Sequence, residues 1–567
     1  MYEGVNASEG IGIGVARVAV EPDLSFTPHS PEDAGAEKQR YVAARDKFVA
    51  QTQAQIDRMK ETVGEETAAI MQAHIEFAED EGIVDMVNSS IDDGMCAEQA
   101  VQNAYDMYYN MFANMEDELF RERAADVADV RTGLLADLLG KELVNLAVLP
   151  ENSVVVVHEL TPSMTADIDK KNIVGIVTET GGRTSHSAII ARQLEIPAVL
   201  SVPDATTNIK TGDMCVVDGN KGVVYVDPSA DELEGFRATA KKLAEEKQAL
   251  EAFRGKPTVT AGGESVMLVA NIGNPSDAAS AIEHDAEGIG LFRSEFLFMD
   301  AQELPSEEEQ FQAYQKVALA MKGKQVIIRT LDVGGDKEIP YLNMQKEDNP
   351  FMGFRAVRYC LNNPEQYKVQ LRALLRASAF GDIKIMLPLV TTLDEVRQAK
   401  ALIEVCKKEL DAEGISYNKD IQVGTMIETP SASLIADLLA KECDFFSIGT
   451  NDLIGYTMCA DRGNDRVAYL YNVYQPSVLR SLKRIIEEGN KAGIMVGMCG
   501  EVAADPLMVP VLLSFGLNEF SVSAGSVLRT RKIISEWTKE EADALTEKVM
   551  KLETSNEVRA MLQAAVK

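Results

Sequence analysis

Between Glu32 and Leu149 the chain contains no proline, and Ile70, Met71, His74, Ile75, Phe77 and Ala78 recur with helical spacing. Proline removes a backbone donor and clashes with the preceding turn, so a long proline-free stretch with a helical apolar period predicts a bundle of helices. Gly64, Gly82, Gly94, Gly133 and Gly140 are the expected turns or helix ends within it. The flanks read differently. Residues 1–20 interrupt an Ile/Val pattern with Gly10, Gly12 and Gly14, and Val154–Val157, Ile173–Val177, Cys215–Asp218 and Val223–Val226 are short runs rich in valine. Such runs predict strands, with one amphipathic helix over 186–194 among them, and the first twenty residues are expected to join the same sheet. From 230 to 253 the chain is again proline-free and rich in Ala, Glu, Lys and Leu, which predicts a helical connector ending at Gly255-Lys256-Pro257.

Beyond the connector come eight short apolar runs: Ser265–Ala270, Gly288–Phe292, Gln325–Arg329, Ile383–Leu387, Gln422–Ile427, Phe445–Ile448, Ile494–Met498 and Glu519–Val522. Each precedes a helical stretch or a longer loop, and eight such alternations predict a (β/α)8 barrel. The expected architecture is therefore multidomain α/β. A β/α domain of residues 1–20 and 149–229 carries an inserted helical bundle over 21–148, a helical linker spans 230–254, and the barrel occupies 255–567.

Barrel chemistry sits at the C-terminal ends of the strands. There the sequence offers Asn271, Arg293 with Glu295, Arg329 with Asp332, Glu428, Asn451 with Asp452, and Cys499 with Glu501. Arg462, in the loop after the sixth strand, adds a third arginine. Guanidinium forks bind phosphate oxygens in pairs, so this face suits a multiply charged phosphate. Glu428 and Asp452, at the ends of adjacent strands, could share a hard divalent cation such as magnesium, which keeps several waters and bridges substrate oxygens. Any one of these charges alone is as readily a structural ion pair; their convergence on one face favours a site. Cys499 in isolation would be a small buried hydrophobe, and its company here favours a chemical role instead.

Composition narrows the partners. Acidic residues outnumber basic ones 89 to 56, and a formal charge of -33 repels nucleic-acid backbones and anionic lipid. Hydrophobic residues make up 46% of the 567, an ordinary globular share that a chain of this length distributes over several cores. Seven cysteines without a Cys-x-x-Cys pair predict neither a disulfide framework nor a zinc site. The opening residues carry no basic and apolar leader, and no run approaches the ~18 apolar residues of a membrane span, so a cytoplasmic location is expected.

Histidine occurs only at His29, His74, His158, His186 and His284. His186 lies in Gly181-Gly-Arg-Thr-Ser-His-Ser-Ala-Ile-Ile-Ala-Arg192, which places its ring at a helix N-terminus after a strand and a Gly-Gly turn. Unpaired N–H groups and the positive dipole end there favour both a neutral imidazole and an attached phosphate. Neutral imidazole is the nucleophile that phosphoryl transfer needs. The local chemistry by itself leaves a surface or capping histidine equally open.

The His186 string is similar to the phosphohistidine signature of phosphoenolpyruvate-using enzymes. Further segments point the same way: Gly288-Ile-Gly-Leu-Phe-Arg-Ser-Glu, Ile328-Arg-Thr-Leu-Asp-Val-Gly-Gly-Asp-Lys, Asn349-Pro-Phe-Met-Gly-Phe-Arg-Ala, Gly424-Thr-Met-Ile-Glu-Thr-Pro, Ser447-Ile-Gly-Thr-Asn-Asp-Leu, Asp461-Arg-Gly-Asn and Met498-Cys-Gly-Glu. Essentially end to end, the chain resembles the Enzyme I family of the bacterial phosphoenolpyruvate:sugar phosphotransferase system. The resemblance implies that the phosphoryl group of phosphoenolpyruvate passes to His186 and then to a histidine of the phosphocarrier protein HPr, with release of pyruvate. It implies Thr165 as the hydrogen-bond partner of His186, and Arg293, Arg329 and Arg462 as the phosphate holders. Asn451 and Asp452 would bind substrate, Glu428 and Asp452 would bind Mg2+, and Cys499 would protonate the enolate. Arg355 and Lys337 would add phosphate contacts. The bundle would dock the carrier, with the stretch from His74 to Gly82 offering apolar and acidic groups to a basic face, and the barrel would form a homodimer. One ring serving a donor and then an acceptor requires a domain movement, expected near residues 230–257.

One departure stands out: after Asn451-Asp452-Leu453 the family pattern has Thr-Gln before Tyr456, and this chain has Ile454-Gly455. A pyruvate phosphate dikinase or phosphoenolpyruvate synthase would need an added nucleotide-binding domain, and no Gly-rich phosphate loop precedes residue 150. A nitrogen-related Enzyme I would place a sensory domain before the first strand, with which this chain opens. A silent regulator would need neither the nucleophile nor the acid.

Overall fold

The computed structural model describes all residues except 20–21, 63–64, 114–117, 142, 144–145, 147–148, 162–163, 165–167, 169–170, 183–184, 300, 335–338, 343, 462–463, 465 and 567. For 58–62, 65–70, 118–122, 125, 186, 189, 193 and 340 it describes the backbone alone. The chain divides into two units, Met1–Lys247 and Gln248–Lys567.

In the first unit eight strands form one sheet: β1 (Tyr2–Glu3), β2 (Val5–Ser8), β3 (Ile11–Val18), β4 (Ser153–Val157), β5 (Ile173–Thr178), β6 (Ala198–Leu200), β7 (Met214–Asp218) and β8 (Val223–Val226). Their order is β1-β8-β7-β3-β4-β5-β6-β2. Every residue of β4 is buried, as a strand covered on both faces and both edges must be. One of its edges is covered by β3, which pairs parallel with β4 and antiparallel with β7. β3 thus enters the middle of a sheet whose two edges are β1 and β2 and whose strands β4 to β8 follow the helical bundle.

That bundle is α1 (Ala34–Thr62), α2 (Glu65–Glu79), α3 (Glu81–Asp92), α4 (Ala97–Ala113) and α5 (Glu118–Leu139). Its core gathers Tyr41, Ile83, Val87, Ile91, Val101 and Leu134. Gly94 (φ 91) and Gly140 (φ 62) follow α3 and α5 in the left-handed backbone region that favours glycine. Gly82 stands at a helix end as expected, in the first turn of α3, whereas Gly133 differs from expectation in lying inside α5. A Cβ on Gly133 would come within 2.4 Å of the Phe48 ring, so this glycine lets α5 approach α1 and does not break the helix. Gly64 lies outside the described residues. His74 is fully buried, with Nε2 3.4 Å from Asp126 Oδ1, which makes it a packed bundle residue. On its stretch the exposed groups are Glu76, Glu79, Asp80 and Glu81.

The connector is the helix Ala230–Glu251, which has no buried residue. Its helicity rests on propensity and on surface pairs such as Lys241–Glu245 and Lys242–Glu246, each contributing a few tenths of a kcal/mol. The division between the two units falls inside it.

The second unit is a closed barrel of eight parallel strands: β9 (Met267–Ile272), β10 (Ile289–Arg293), β11 (Val326–Arg329), β12 (Ile383–Leu387), β13 (Val423–Ile427), β14 (Phe445–Ile448), β15 (Met495–Met498) and β16 (Glu519–Ser523). Each overlaps an expected run. The first starts at Met267 because Ser265 pairs instead with Val259 in an antiparallel bridge, and Asn271 consequently lies within the strand. Among the described residues no helix is long and apolar enough to cross a membrane.

At the N-terminal end of the barrel Glu519 is fully buried, accepts from the Gln325 amide through Oε2, and leaves Oε1 without a partner. Burial pushes its carboxyl up to about 7. A carboxyl raised on folding stabilises the native state below its unfolded value and loses that contribution as pH rises through the folded value. Wild-type resistance to urea is therefore expected to fall between about pH 4.3 and 7, and Glu519→Gln should flatten this profile. Equal slopes for the two proteins across that window would refute the assignment.

Candidate active site

Strand register builds the site. Arg293 and Arg329 end neighbouring strands and are directly paired in register, which sets two guanidinium stems side by side. Ile427 pairs with Ile448, and Ile448 with Met498, so the residues that follow these strands, Glu428, Gly449 and Cys499, come level at the rim. A Cβ on Gly449 would lie 2.6 Å from Glu428 Oε2, so only glycine leaves that carboxylate its place. Asn451 and Asp452 stand in the first turn of the helix Thr450–Met458 that follows β14. Together with Arg355, these side chains line a cavity of about 300 Å³.

Buried ion pairs hold the arginines. Arg329 donates to Glu295 through Nη2, and its Nη1 lies 3.0 Å from Asp332 Oδ2. Asp332 Oδ1 accepts from Arg355 Nη2 at 2.9 Å, and the same nitrogen is 3.3 Å from Asp452 Oδ2. Burial opposes the charge on Arg329, and Glu295, Asp332 and Glu428 outweigh it, holding the guanidinium above its ordinary range. Arg293, by contrast, donates no hydrogen bond and forms no ion pair among the described residues, and so has its full donor set for a ligand.

Glu428 is buried and accepts from the Leu389 N–H at 2.6 Å through Oε1. Burial, reinforced by the charges of Asp452 and Asp332, pushes its carboxyl well above the usual carboxylate range, against the pull of Arg329 and Arg355. The cavity lining explains this crowding: it holds three arginines, Arg293, Arg329 and Arg355, against five carboxylates, Glu295, Asp332, Glu428, Asp452 and Glu501. Such a lining needs added positive charge before it accepts a phosphorylated anion. No group of three or more His, Cys, Asp or Glu side chains is placed to hold a metal among the described residues. The carboxylates of Glu428 and Asp452 are hard oxygen donors in this acidic lining, a donor chemistry that fits a divalent cation such as magnesium. Cys499 is buried, and burial pushes its thiol up to about 11, so it is protonated at neutral pH. It suits an acid better than a nucleophile.

In the other unit, His186 is the first residue of the helix His186–Gln193. Ser185 caps this helix, its Oγ accepting from Ala188 N and donating to Gly182 O at 2.8 Å. The Gly-Gly turn before it is needed for shape, since Gly181 has φ 105. Arg192 of the same string donates to Ala7 O at 3.1 Å and ties the helix to β2. Thr165, Lys337 and Arg462 lie outside the described residues.

Sequence reading passed over Ser521, whose Oγ donates to Asn271 Oδ1 at 2.6 Å. A polar residue at an inward position of an apolar strand was the available signal. Asn271, expected at the barrel mouth, spends its amide donors on the Cys499 and Ser521 carbonyls.

Residues 247–539 match the family described as PEP-utilising enzyme, PEP-binding domain; residues 3–123 match its N-terminal part and 149–222 its mobile domain. The chain is 44% identical over 566 residues to the phosphoenolpyruvate-protein phosphotransferase of Staphylococcus carnosus, covering 100% of this chain and 99% of that one. The chain belongs to the PEP-utilising enzyme family. Two further family members named phosphoenolpyruvate-protein phosphotransferase are similar along their whole length. That of Enterococcus faecalis is 45% identical, covering 100% of both chains, and that of Bacillus subtilis is 43% identical, covering 100% of this chain and 99% of its own. Membership of the PEP-utilising family agrees with a barrel whose rim concentrates arginine and carboxylate around one cavity.

Proposed function

We propose that the protein transfers the phosphoryl group of phosphoenolpyruvate to its own His186 and then to a histidine of the carrier HPr, releasing pyruvate. The observation that carries this reading is the juxtaposition, around one cavity, of the Arg293–Arg329 pair, the Glu428–Asp452 pair and a buried, protonated Cys499. Binding alone would need the cations and no acid.

Arg293 and Arg329, with Arg462, hold the phosphoryl oxygens and spread their charge as the bond to the bridging oxygen lengthens. Asn451 and Asp452 orient the substrate. Glu428 and Asp452 would hold magnesium, which would supply the positive charge that the acidic lining lacks. Neutral His186, at its helix N-terminus and oriented by Thr165, is the nucleophile, and the N–H groups of that helix favour the phosphate it acquires. Cys499 then gives its proton to the enolate carbon, and ketone formation makes the forward step favourable. Arg355 and Lys337 support the phosphate contacts.

The same reading assigns residues 1–20 and 149–229 to the phosphohistidine domain, 21–148 to carrier docking, 230–254 to the linker and 255–567 to substrate binding and homodimerisation. It places the protein in the cytoplasm as the first step of sugar uptake. The acidic groups Glu76, Glu79, Asp80 and Glu81 favour a carrier with a basic face.

The test is incubation with magnesium and phosphate-labelled phosphoenolpyruvate, followed by HPr, with His186→Ala alongside. Acid-labile label on the wild type that moves to HPr, and none on the variant, is expected. Ligand binding without label would sink the transferase reading in favour of a regulator, and label passing only to a nucleotide would favour a dikinase.

A further inference from the structure

The ladder between β15 and β16 ends with Met498 paired to Phe520, so the peptide of Cys499 lies just beyond regular strand pairing. On one side its N–H donates to Ile448 O at 3.2 Å. On the other, its carbonyl is held by a side chain: Asn271 Nδ2 donates to Cys499 O at 3.0 Å and to Ser521 O at 3.2 Å. Ser521 Oγ donates to Asn271 Oδ1 at 2.6 Å. The amide orientation is therefore determined, because only a nitrogen can face two carbonyls while the oxygen faces a hydroxyl. Ser521 is fully buried, and Asn271 has no donor left over for a substrate. Residues of β9 and β16 are thus joined by hydrogen bonds to the residue that follows β15, and that residue carries the buried thiol.

We propose that Asn271 and Ser521 are positioning residues that aim the Cys499 thiol at the carbon it protonates. This rests on the reading of Cys499 as the proton donor. In that step the S–H bond breaks and the π pair of the enolate forms a C–H bond at C3. The oxygen at C2 closes to a ketone, and the thiolate later takes a proton from water. Delivery to one face of C3 requires the thiol to approach from one side. With Cys499 held at both its N–H and its C=O, Sγ moves by rotation about Cα–Cβ, away from a resting position in which it donates to Ile448 O at 3.7 Å. Loss of Asn271 frees the carbonyl end, and loss of the Ser521 hydroxyl removes the donor that fixes the orientation of the Asn271 amide; either change loosens the direction of approach.

The experiment is a single turnover in tritiated water with phosphoenolpyruvate stereospecifically deuterated at C3, followed by determination of the configuration of the chiral methyl group of pyruvate. Wild type is expected to give one configuration. Asn271→Ala and Ser521→Ala are expected to give a largely racemic methyl and a kcat lowered about ten- to a hundredfold, with KM for phosphoenolpyruvate little changed. Cys499→Ala separates the two levels of argument. If it gives a racemic methyl while Asn271→Ala and Ser521→Ala keep the wild-type configuration, the positioning role is overturned. If Cys499→Ala itself keeps one configuration, Cys499 is not the donor and the underlying reading fails. Should Asn271→Ala not fold, Ser521→Ala decides the matter by the same readout.

Discussion

Replacing Arg329 with methionine is expected to lower the rate of His186 phosphorylation by about a hundred- to a thousandfold, the usual consequence of removing one charge-stabilising donor from a transition state. The same change should destabilise the barrel by about 3–5 kcal/mol, because it removes the arginine paired with the buried Glu295 carboxylate and one of the two arginines paired with Asp332. The two effects have different origins and can be separated. Adding Glu295→Gln to Arg329→Met neutralises the stranded carboxylate and should restore much of the stability, while phosphorylation stays slow. Rapid-quench labelling and urea denaturation of the single and double variants measure both. If the double variant regains rate along with stability, Arg329 acts through the fold and not on the phosphoryl group.

Glu428→Gln should abolish magnesium-dependent labelling, and its wild-type counterpart should show a proton linkage. Burial beside Asp452 and Asp332 raises the Glu428 carboxyl, so the metal-free protein binds a proton at a pH where an ordinary glutamate is ionised. The sign follows: without metal, this group stabilises the fold most at low pH and progressively less as pH rises through its raised value. A cation requires the ionised form, so magnesium binding should release a proton near neutral pH and weaken as pH falls. Calorimetric titration with magnesium in two buffers of different ionisation enthalpy reads this directly. The expected result is a buffer-dependent heat for wild type and little or no magnesium binding for the variant. Magnesium binding with identical heats in both buffers would remove Glu428 from the cation site.

Much of the barrel was legible because each of its strands is a short apolar run followed by a helical stretch or a longer loop, a pattern that follows from burial of the strands on both faces. The bundle was legible from proline avoidance and helical spacing. The glycines were legible only in part: Gly94 and Gly140 stop helices as expected, while Gly133 lies inside one and meets Phe48 across a crossing. One residue type answers two demands, backbone conformation and close approach, and only the neighbour tells them apart. His74 shows the same limit, since its place on an apolar stripe was visible but the Asp126 carboxylate beside it comes from another helix.

The sequence by itself determined the alternation of elements, the family signature around His186 and the identity of the charges at the barrel rim, because these depend on residue type and local spacing. Tertiary structure alone decided how those charges are spent. Arg329 and Arg355 are tied into a buried chain through Asp332, Arg293 is left unpaired among the described residues, and the Asn271 amide is spent on the Cys499 and Ser521 carbonyls. The physical reason is distance along the chain: Asn271 and Cys499 are separated by 228 positions, and only closure of the barrel, with its fixed register, brings their atoms within hydrogen-bonding range.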